Sequence, residues 1–129
     1  MKVSKNIYSK LKKDPFDYTF NLVEKKFTMQ ILRNMLFDKQ TRFNEFLNSI
    51  EGISPRILSR RLKEMEANGL IERIVFDKTP IKIEYKITQR GKNIKPLLTQ
   101  MAKFSIKHYS DVIFKDKKLR TIEQIFTAE

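Results

Sequence analysis

In the first half of the chain, hydrophobic residues recur every three or four positions, a spacing typical of amphipathic helices. Helices are predicted over about residues 2–13, 15–24, 27–38, 44–50 and 54–68. Asp14 and Ser54 each precede a proline, which suits a helix cap followed by the first helical position. Aromatic side chains are assigned mainly to the core: Phe16, Phe20, Phe27, Phe43, Phe46 and Phe104.

The second half of the chain switches to a β pattern and then returns to helix. Residues 71–76 are rich in β-branched and apolar types, and from Ile81 to Ile87 apolar and charged residues alternate. The polar segment 77–80 joins these runs, so the pattern predicts a β-hairpin with a basic tip. Thr88 is a suitable cap for one long helix over about 89–114, kinked by Pro96, with a short turn at 121–126.

This order predicts a mainly α protein with a small β-hairpin, which is a winged helix-turn-helix with added N- and C-terminal dimerisation helices. The chain is predicted to form a single domain over residues 1–129, with a core at about 14–104 and dimerisation helices at about 2–13 and 89–114. The last helix carries too wide an apolar surface for a monomer. A homodimer interface is therefore predicted at Val3, Ile7, Leu11, Phe104, Tyr109, Val112 and Ile113.

Charge and composition narrow the functional classes. The 129 residues carry a formal net charge of +12, which favours a polyanionic partner, although charge alone does not separate DNA from RNA or an anionic membrane. With no cysteine and one histidine, His108, no metal site, cofactor or catalytic constellation is predicted, and an enzyme is the weakest option. No apolar run reaches the ~18 residues of a membrane span, so the expected location is the cytoplasm.

The predicted helix 54–68 has two opposite faces. Leu58, Leu62 and Met65 form the inner stripe. Arg56, Arg60 and Lys63 repeat this spacing two residues earlier, which on a helix corresponds to a rotation of about 200°. Together with Ser59, these side chains suit base edges and phosphates of double-stranded DNA, whereas the alternative interpretation is a solvated basic surface.

Two neighbouring segments add candidate contacts. Lys78 and Lys82 lie at the hairpin tip, where they would follow the DNA backbone or minor groove unless the tip is an ordinary polar turn. Arg42 precedes a helix N-terminus and is placed either for a phosphate or for an ion pair with Glu45. The full set predicted to contact DNA is Arg42, Asn44, Ser54, Pro55, Arg56, Ser59, Arg60, Lys63, Lys78 and Lys82.

Several segments of this chain resemble one family, in that family's order and spacing. They are Lys-Phe-Thr at 26–28, Ile-Leu-Arg at 31–33, Arg-Phe-Asn-Glu-Phe at 42–46, residues 52–58, residues 62–73, and Glu-Tyr-Lys-Ile-Thr at 84–88 with Gly91. Together they resemble the HxlR-type family of winged-helix regulators, within the MarR-like superfamily. The resemblance covers roughly residues 14–104. It implies dimeric binding to operator DNA through the 54–68 helix and the 77–82 wing, with a dimer interface from the first and last helices.

Two positions depart from the family pattern. Asp14 stands where the family often has a cysteine, so a thiol switch is ruled out and the nature of any small-molecule effector stays open. Phe27 replaces the usual tryptophan. The predicted function is a sequence-specific DNA-binding transcriptional regulator that reads a pseudo-palindromic operator. The alternatives are a winged-helix protein-interaction module or a nonspecific nucleic-acid-binding protein.

Overall fold

The structure, a computed structural model, describes residue 7 and residues 9–126. Within that part, the chain is mainly helical and has one antiparallel two-stranded sheet, as predicted. The elements are α1 (Pro15–Val23), α2 (Thr28–Leu36), α3 (Phe43–Ser49), α4 (Pro55–Ala67), β1 (Ile71–Phe76), β2 (Lys82–Ile87), α5 (Gln89–Lys92), α6 (Lys95–Ile113) and α7 (Ile122–Ile125).

The core lies between α2, α3 and α4. Ile31 and Leu32 of α2, Phe46 of α3 and Leu58 of α4 are fully buried. Leu62 and Met65 continue the buried stripe of α4, which confirms the inner face predicted for this helix. Burial of these side chains stabilises the fold by about 1.5–3 kcal/mol each.

Local signals in the sequence set both ends of α4. The Ser54 side-chain oxygen accepts a hydrogen bond from the Ile57 N–H at 3.1 Å, which is the interaction expected of an N-cap serine. Beyond Asn68, Gly69 has a φ of +76°, and the Leu70 N–H donates to the Met65 carbonyl at 3.0 Å. This pattern is a Schellman ending, which glycine permits because it has no Cβ.

The hairpin is joined to the helices at both ends. Its register pairs Ile71 with Ile87 and Phe76 with Lys82. The Thr88 N–H donates to the Leu70 carbonyl at 3.0 Å, and the Tyr85 N–H donates to the Thr41 carbonyl at 2.7 Å. The loop between α2 and α3 therefore lies along the outer edge of β2, and this contact fixes the position of the wing relative to α3.

The prediction of one long helix over 89–114 with a kink at Pro96 is wrong. The short helix α5 ends at Lys92, and α6 starts at Lys95 with Pro96 in its first turn. A proline is accepted there because the first N–H groups of a helix have no partner within the helix. The irregular residue lies near the other end of α6, where Tyr109 has non-helical angles (φ −135°, ψ 29°).

Three of the aromatic residues assigned to the core are exposed instead. The last turn of α1 packs on the core through Leu22 and Val23, whereas Phe16 and Phe20 remain 78% and 61% exposed. Phe104 on α6 is 59% exposed. The other three phenylalanines pack as predicted. Phe46 is fully buried, and Phe27 and Phe43 are partly buried against the core cluster.

The N-terminal helix predicted over 2–13 does not extend through its last residues. Residues 9 and 10 form a turn and residues 12 and 13 a bend, although residue 7 is helical. Val3 and Tyr8 lie outside the described residues. Among the helices of the described residues, none combines the length and apolar character that crossing a membrane requires.

Candidate nucleic-acid interface

The face of α4 opposite the core is basic and open. Arg56, Arg60 and Lys63 are exposed, and Ser59 lies partly exposed among them. Within the described residues, none of the three cations forms an ion pair. The same helical period that buries Leu58 therefore leaves a row of free donors on the outer surface, beginning in the first turn of the helix.

A fourth cation of α4, Arg61, has a structural role. Its Nε donates to the Lys26 carbonyl at 2.9 Å and its Nη1 to Glu64 Oε1 at 2.8 Å. The side chain is only 12% exposed. Because Glu64 also lies 3.4 Å from the Lys25 Nζ, these contacts join α4 to the turn between α1 and α2 and fix the direction in which the basic row faces.

Between α4 and the sheet lies a groove that the sequence did not predict. It is lined by Ser59 and Lys63 of α4 and by Arg73 and Tyr85 of the hairpin, with Glu66 at its side. This surface is called the reading groove below. Arg73 was not predicted as a site residue, although β1 alternation could have indicated it: Arg73 pairs with Tyr85, and cross-strand partners share one face.

Four other predicted residues meet at the tip of the hairpin. Arg42 and Asn44, at the start of α3, line one cleft with Lys78 and Lys82 of the wing. Both lysines form cation–π contacts with the Phe76 ring, whose centroid lies 5.8 Å from the Lys78 Nζ and 5.1 Å from the Lys82 Nζ. The structure therefore brings Arg42 together with lysines that lie 36 and 40 residues later in the sequence.

The carboxylate of Glu84 lies next to two of the cations that line this cleft. Glu84 Oε1 lies 2.9 Å from the Lys82 Nζ and 4.0 Å from the Arg42 Nη2. The hydrogen bond from Lys82 lowers the pKa of Glu84, and the charges of Lys82, Arg42 and Lys78 lower it further. Glu84 is therefore ionised at neutral pH.

The expected alternative for Arg42, an ion pair with Glu45, is not formed. The Glu45 carboxylate instead accepts the backbone N–H groups of Thr41 and Arg42, at 3.0 and 2.9 Å. The Glu45 carboxylate therefore caps the N-terminus of α3. The Arg42 side chain extends instead towards Glu84 on β2.

The remaining predicted DNA contacts lie at the start of α4. Pro55 is exposed and Ser54 is partly exposed. The Ser54 oxygen accepts the capping hydrogen bond, which leaves its hydroxyl proton free to donate to another group.

The residues predicted for a dimer interface are exposed wherever the structure describes them. On α6, Val112 is 75% exposed, and Phe104, Tyr109 and Ile113 are at least half exposed. Ile7 and Leu11 near the N-terminus are also exposed, whereas Val3 lies outside the described residues. Ile106 is buried in the chain's own core, so α6 is apolar on two faces.

Comparison with known families gives one match over most of the chain. A family model described as HxlR-like helix-turn-helix matches residues 22–112. YdzF of Bacillus subtilis strain 168, described as an uncharacterized HTH-type transcriptional regulator, is 35% identical over 101 residues. That alignment covers 78% of this chain and 93% of YdzF.

Solved structures show the same fold. The reduced form of the transcriptional regulator YodB from B. subtilis is 30% identical and superposes with a TM-score of 0.65, covering 75% of this chain and 95% of YodB. A MarR-family regulator from Enterococcus faecalis V583 superposes with a TM-score of 0.67 over 86% of this chain and 94% of its own. At 21% identity this second likeness concerns the fold alone.

Proposed function

Because the chain belongs to the HxlR-like helix-turn-helix family and is a DNA-binding transcriptional regulator, we propose that it reads a pseudo-palindromic operator as a homodimer. In this proposal α4 enters the major groove, where arginine recognises guanine edges through two hydrogen bonds. The observation that carries the proposal is the exposed basic row of Arg56, Arg60 and Lys63, which form no ion pair with any residue that the structure describes.

Each predicted contact receives a role according to its position. Arg56, Ser59 and Arg60 specify sequence. Lys63 lies next to Ser59 in the reading groove, which also contains Arg73, a residue that the sequence did not predict. Arg42, Asn44, Lys78 and Lys82 lie in the cleft at the hairpin tip, where cations hold phosphates and position the protein without specifying bases. Ser54 and Pro55 approach the DNA backbone at the start of α4, where the N–H groups of a helix N-terminus favour phosphate.

The dimer is supported by the apolar surfaces of α1 and α6. Val112 and Phe104 are exposed on α6, and Phe16 and Phe20 are exposed on α1. Exposed aromatic and aliphatic side chains of this size mark interaction surfaces. If this dimer reads two half-sites one turn of DNA apart, we expect its two copies of α4 to be separated by about 34–36 Å.

Selection of bound duplexes from a random DNA library, combined with light scattering of the same protein, tests this proposal. We expect a pseudo-palindromic motif with half-sites one helical turn apart and a mass about twice 15.4 kDa. Steeply salt-dependent binding without a motif would instead indicate a nonspecific nucleic-acid-binding protein. Absence of DNA binding would favour a protein-interaction module, and a monomeric mass would refute the dimer.

The substitution Glu84→Gln is expected to tighten DNA binding about threefold, on preferred and random duplexes alike. It removes the negative charge that neutralises Arg42 and Lys82, so both become available to phosphates. Fluorescence anisotropy with a labelled duplex measures the change. The variant Glu123→Gln loses the same charge from an exposed position on α7 and should bind as the unaltered protein does. Equal affinities of the two variants would contradict the role of Glu84 in neutralising Arg42 and Lys82.

A further inference from the structure

A cleft of about 430 Å³ lies along the edge of β2 that faces away from β1. None of the residues that line it was predicted to contact DNA or to form the dimer interface. Its apolar floor is formed by Met35 and Leu36 of α2 and Ile87 of β2. Its rim carries four lysines, and it is called the lysine-rimmed cleft below: Lys39, Lys86, Lys92 and Lys95. Small-molecule sites have volumes of about 300–1,000 Å³ and combine an apolar surface with a few polar groups.

The rim carries four positive charges. Within the part of the chain that the structure describes, no aspartate or glutamate lines the cleft. Among the described residues, none of its four lysines takes part in an ion pair, and the Lys95 Nζ lies over the Phe37 ring at 5.0 Å. Like charges around a low-dielectric surface create a field that favours an anion.

The cleft also holds an open backbone donor. Hydrogen bonds alternate along an antiparallel pair, and the Tyr85 N–H points away from β1 because it donates to Thr41. Ile87, two residues further along β2, therefore directs its N–H to the same edge, where no partner occurs among the described residues. An N–H beside lysine ammonium groups is a suitable receptor for a carboxylate.

The wall that carries Lys39 is held in place. Asn34, which is 2% exposed, donates its side-chain N–H groups to Gln40 Oε1 at 3.1 Å and to Ser49 Oγ at 2.9 Å. The backbone carbonyl of Asn34 accepts hydrogen bonds from the backbone N–H groups of Asp38 and Gln40, both at 3.1 Å. A preformed wall lowers the entropy lost when a ligand binds.

We propose that the lysine-rimmed cleft binds a small organic carboxylate with an apolar body. The hydrocarbon part lies on Met35, Leu36 and Ile87, and the carboxylate meets the lysines and the Ile87 N–H. The apolar floor distinguishes this ligand from inorganic phosphate or a DNA phosphodiester, which have no hydrocarbon to bury.

Titration of the isotope-labelled full chain with octanoate, followed by amide NMR, tests the site. We expect saturable shifts at Thr41, Tyr85 and Ile87, with octanol and inorganic phosphate binding at least about tenfold more weakly. Octanol as effective as octanoate would overturn the proposal, as would shifts confined to residues 104–113 or no saturable shift at all.

The double variant Lys92→Gln/Lys95→Gln is expected to weaken octanoate binding at least about fivefold. The control Lys103→Gln/Lys107→Gln removes the same charge from exposed positions of α6 outside the cleft and should retain the original affinity. The amide spectrum of each variant without octanoate reports whether it is folded. Equal weakening in both variants would overturn the assignment to this cleft.

We expect a ligand in the cleft to change the DNA-binding surface as well, and this extension rests on the proposed function. Tyr85 lines both this cleft and the reading groove, and Thr41 directly precedes Arg42. A ligand bound at the Ile87 N–H, next to the hydrogen bond between Tyr85 and Thr41, would shift β2 relative to Thr41, so saturating octanoate should weaken operator binding about fivefold. If octanoate binds but the operator affinity does not change, the coupling alone is refuted. If the protein fails to bind DNA even before octanoate is added, the proposed function is refuted and the NMR result is unaffected.

Discussion

Replacing Arg56 and Arg60 together by alanine is expected to weaken binding to the selected operator by about 30-fold or more, while binding to a shuffled duplex falls only a few-fold. A bidentate contact between arginine and guanine discriminates by about 1–3 kcal/mol, and two such contacts are lost. The remaining phosphate contacts are indifferent to sequence. The ratio of the two affinities should therefore fall towards one.

Anisotropy titrations with both duplexes at one fixed salt concentration measure this ratio. The double variant Lys103→Ala/Lys107→Ala is the matched control, because it removes two cations from exposed positions on α6. It lowers the net charge equally and should preserve the preference for the operator. If the arginine variant loses affinity for both duplexes to the same degree, α4 does not read sequence through these side chains.

A second large effect is expected from Gly91→Ala, which should lower the free energy of unfolding by about 3 kcal/mol. A Cβ at this position would lie 2.2 Å from the Leu70 carbonyl oxygen and 2.8 Å from Ile87 Cδ1. The Leu70 carbonyl also accepts the Thr88 N–H at 3.0 Å. Relief of the clash must therefore separate α5 from the start of β1, since neither backbone can move alone.

Urea denaturation followed by circular dichroism, at equal protein concentrations, measures this loss. The adjacent variant Lys92→Ala alters an exposed side chain of the same short helix and should change stability by less than about 0.5 kcal/mol. A protein that tolerated Gly91→Ala as well as Lys92→Ala would show that α5 does not pack against Leu70 this closely.

Predictions from the sequence succeeded where one local interaction decides the structure. The helix caps at Asp14, Ser54 and Thr88 form as expected, because each cap needs only its own side chain and the next few N–H groups. The two faces of α4 followed directly from its period. The hairpin was predicted too, with β2 beginning at Lys82 rather than Ile81.

Predictions failed where burial depends on distant parts of the chain. Phe16, Phe20 and Val23 share one helical face of α1, yet only Val23 reaches the core. Periodicity shows which side of a helix is apolar but not how much of its length meets a neighbour. Likewise, Pro96 indicated a disturbance of the helical pattern, but only the structure shows that it lies in the first turn of a new helix.

The sequence by itself determined the fold class, the helix boundaries near capping residues and the basic outer row of α4, because these follow from contacts within a few residues and from a fixed helical period. Tertiary structure alone decided that Arg73 joins Lys63, that Glu84 meets Arg42 and Lys82, and that four lysines surround one apolar floor. These groupings arise from the packing of elements far apart in the chain, for which a single sequence carries no periodic signal.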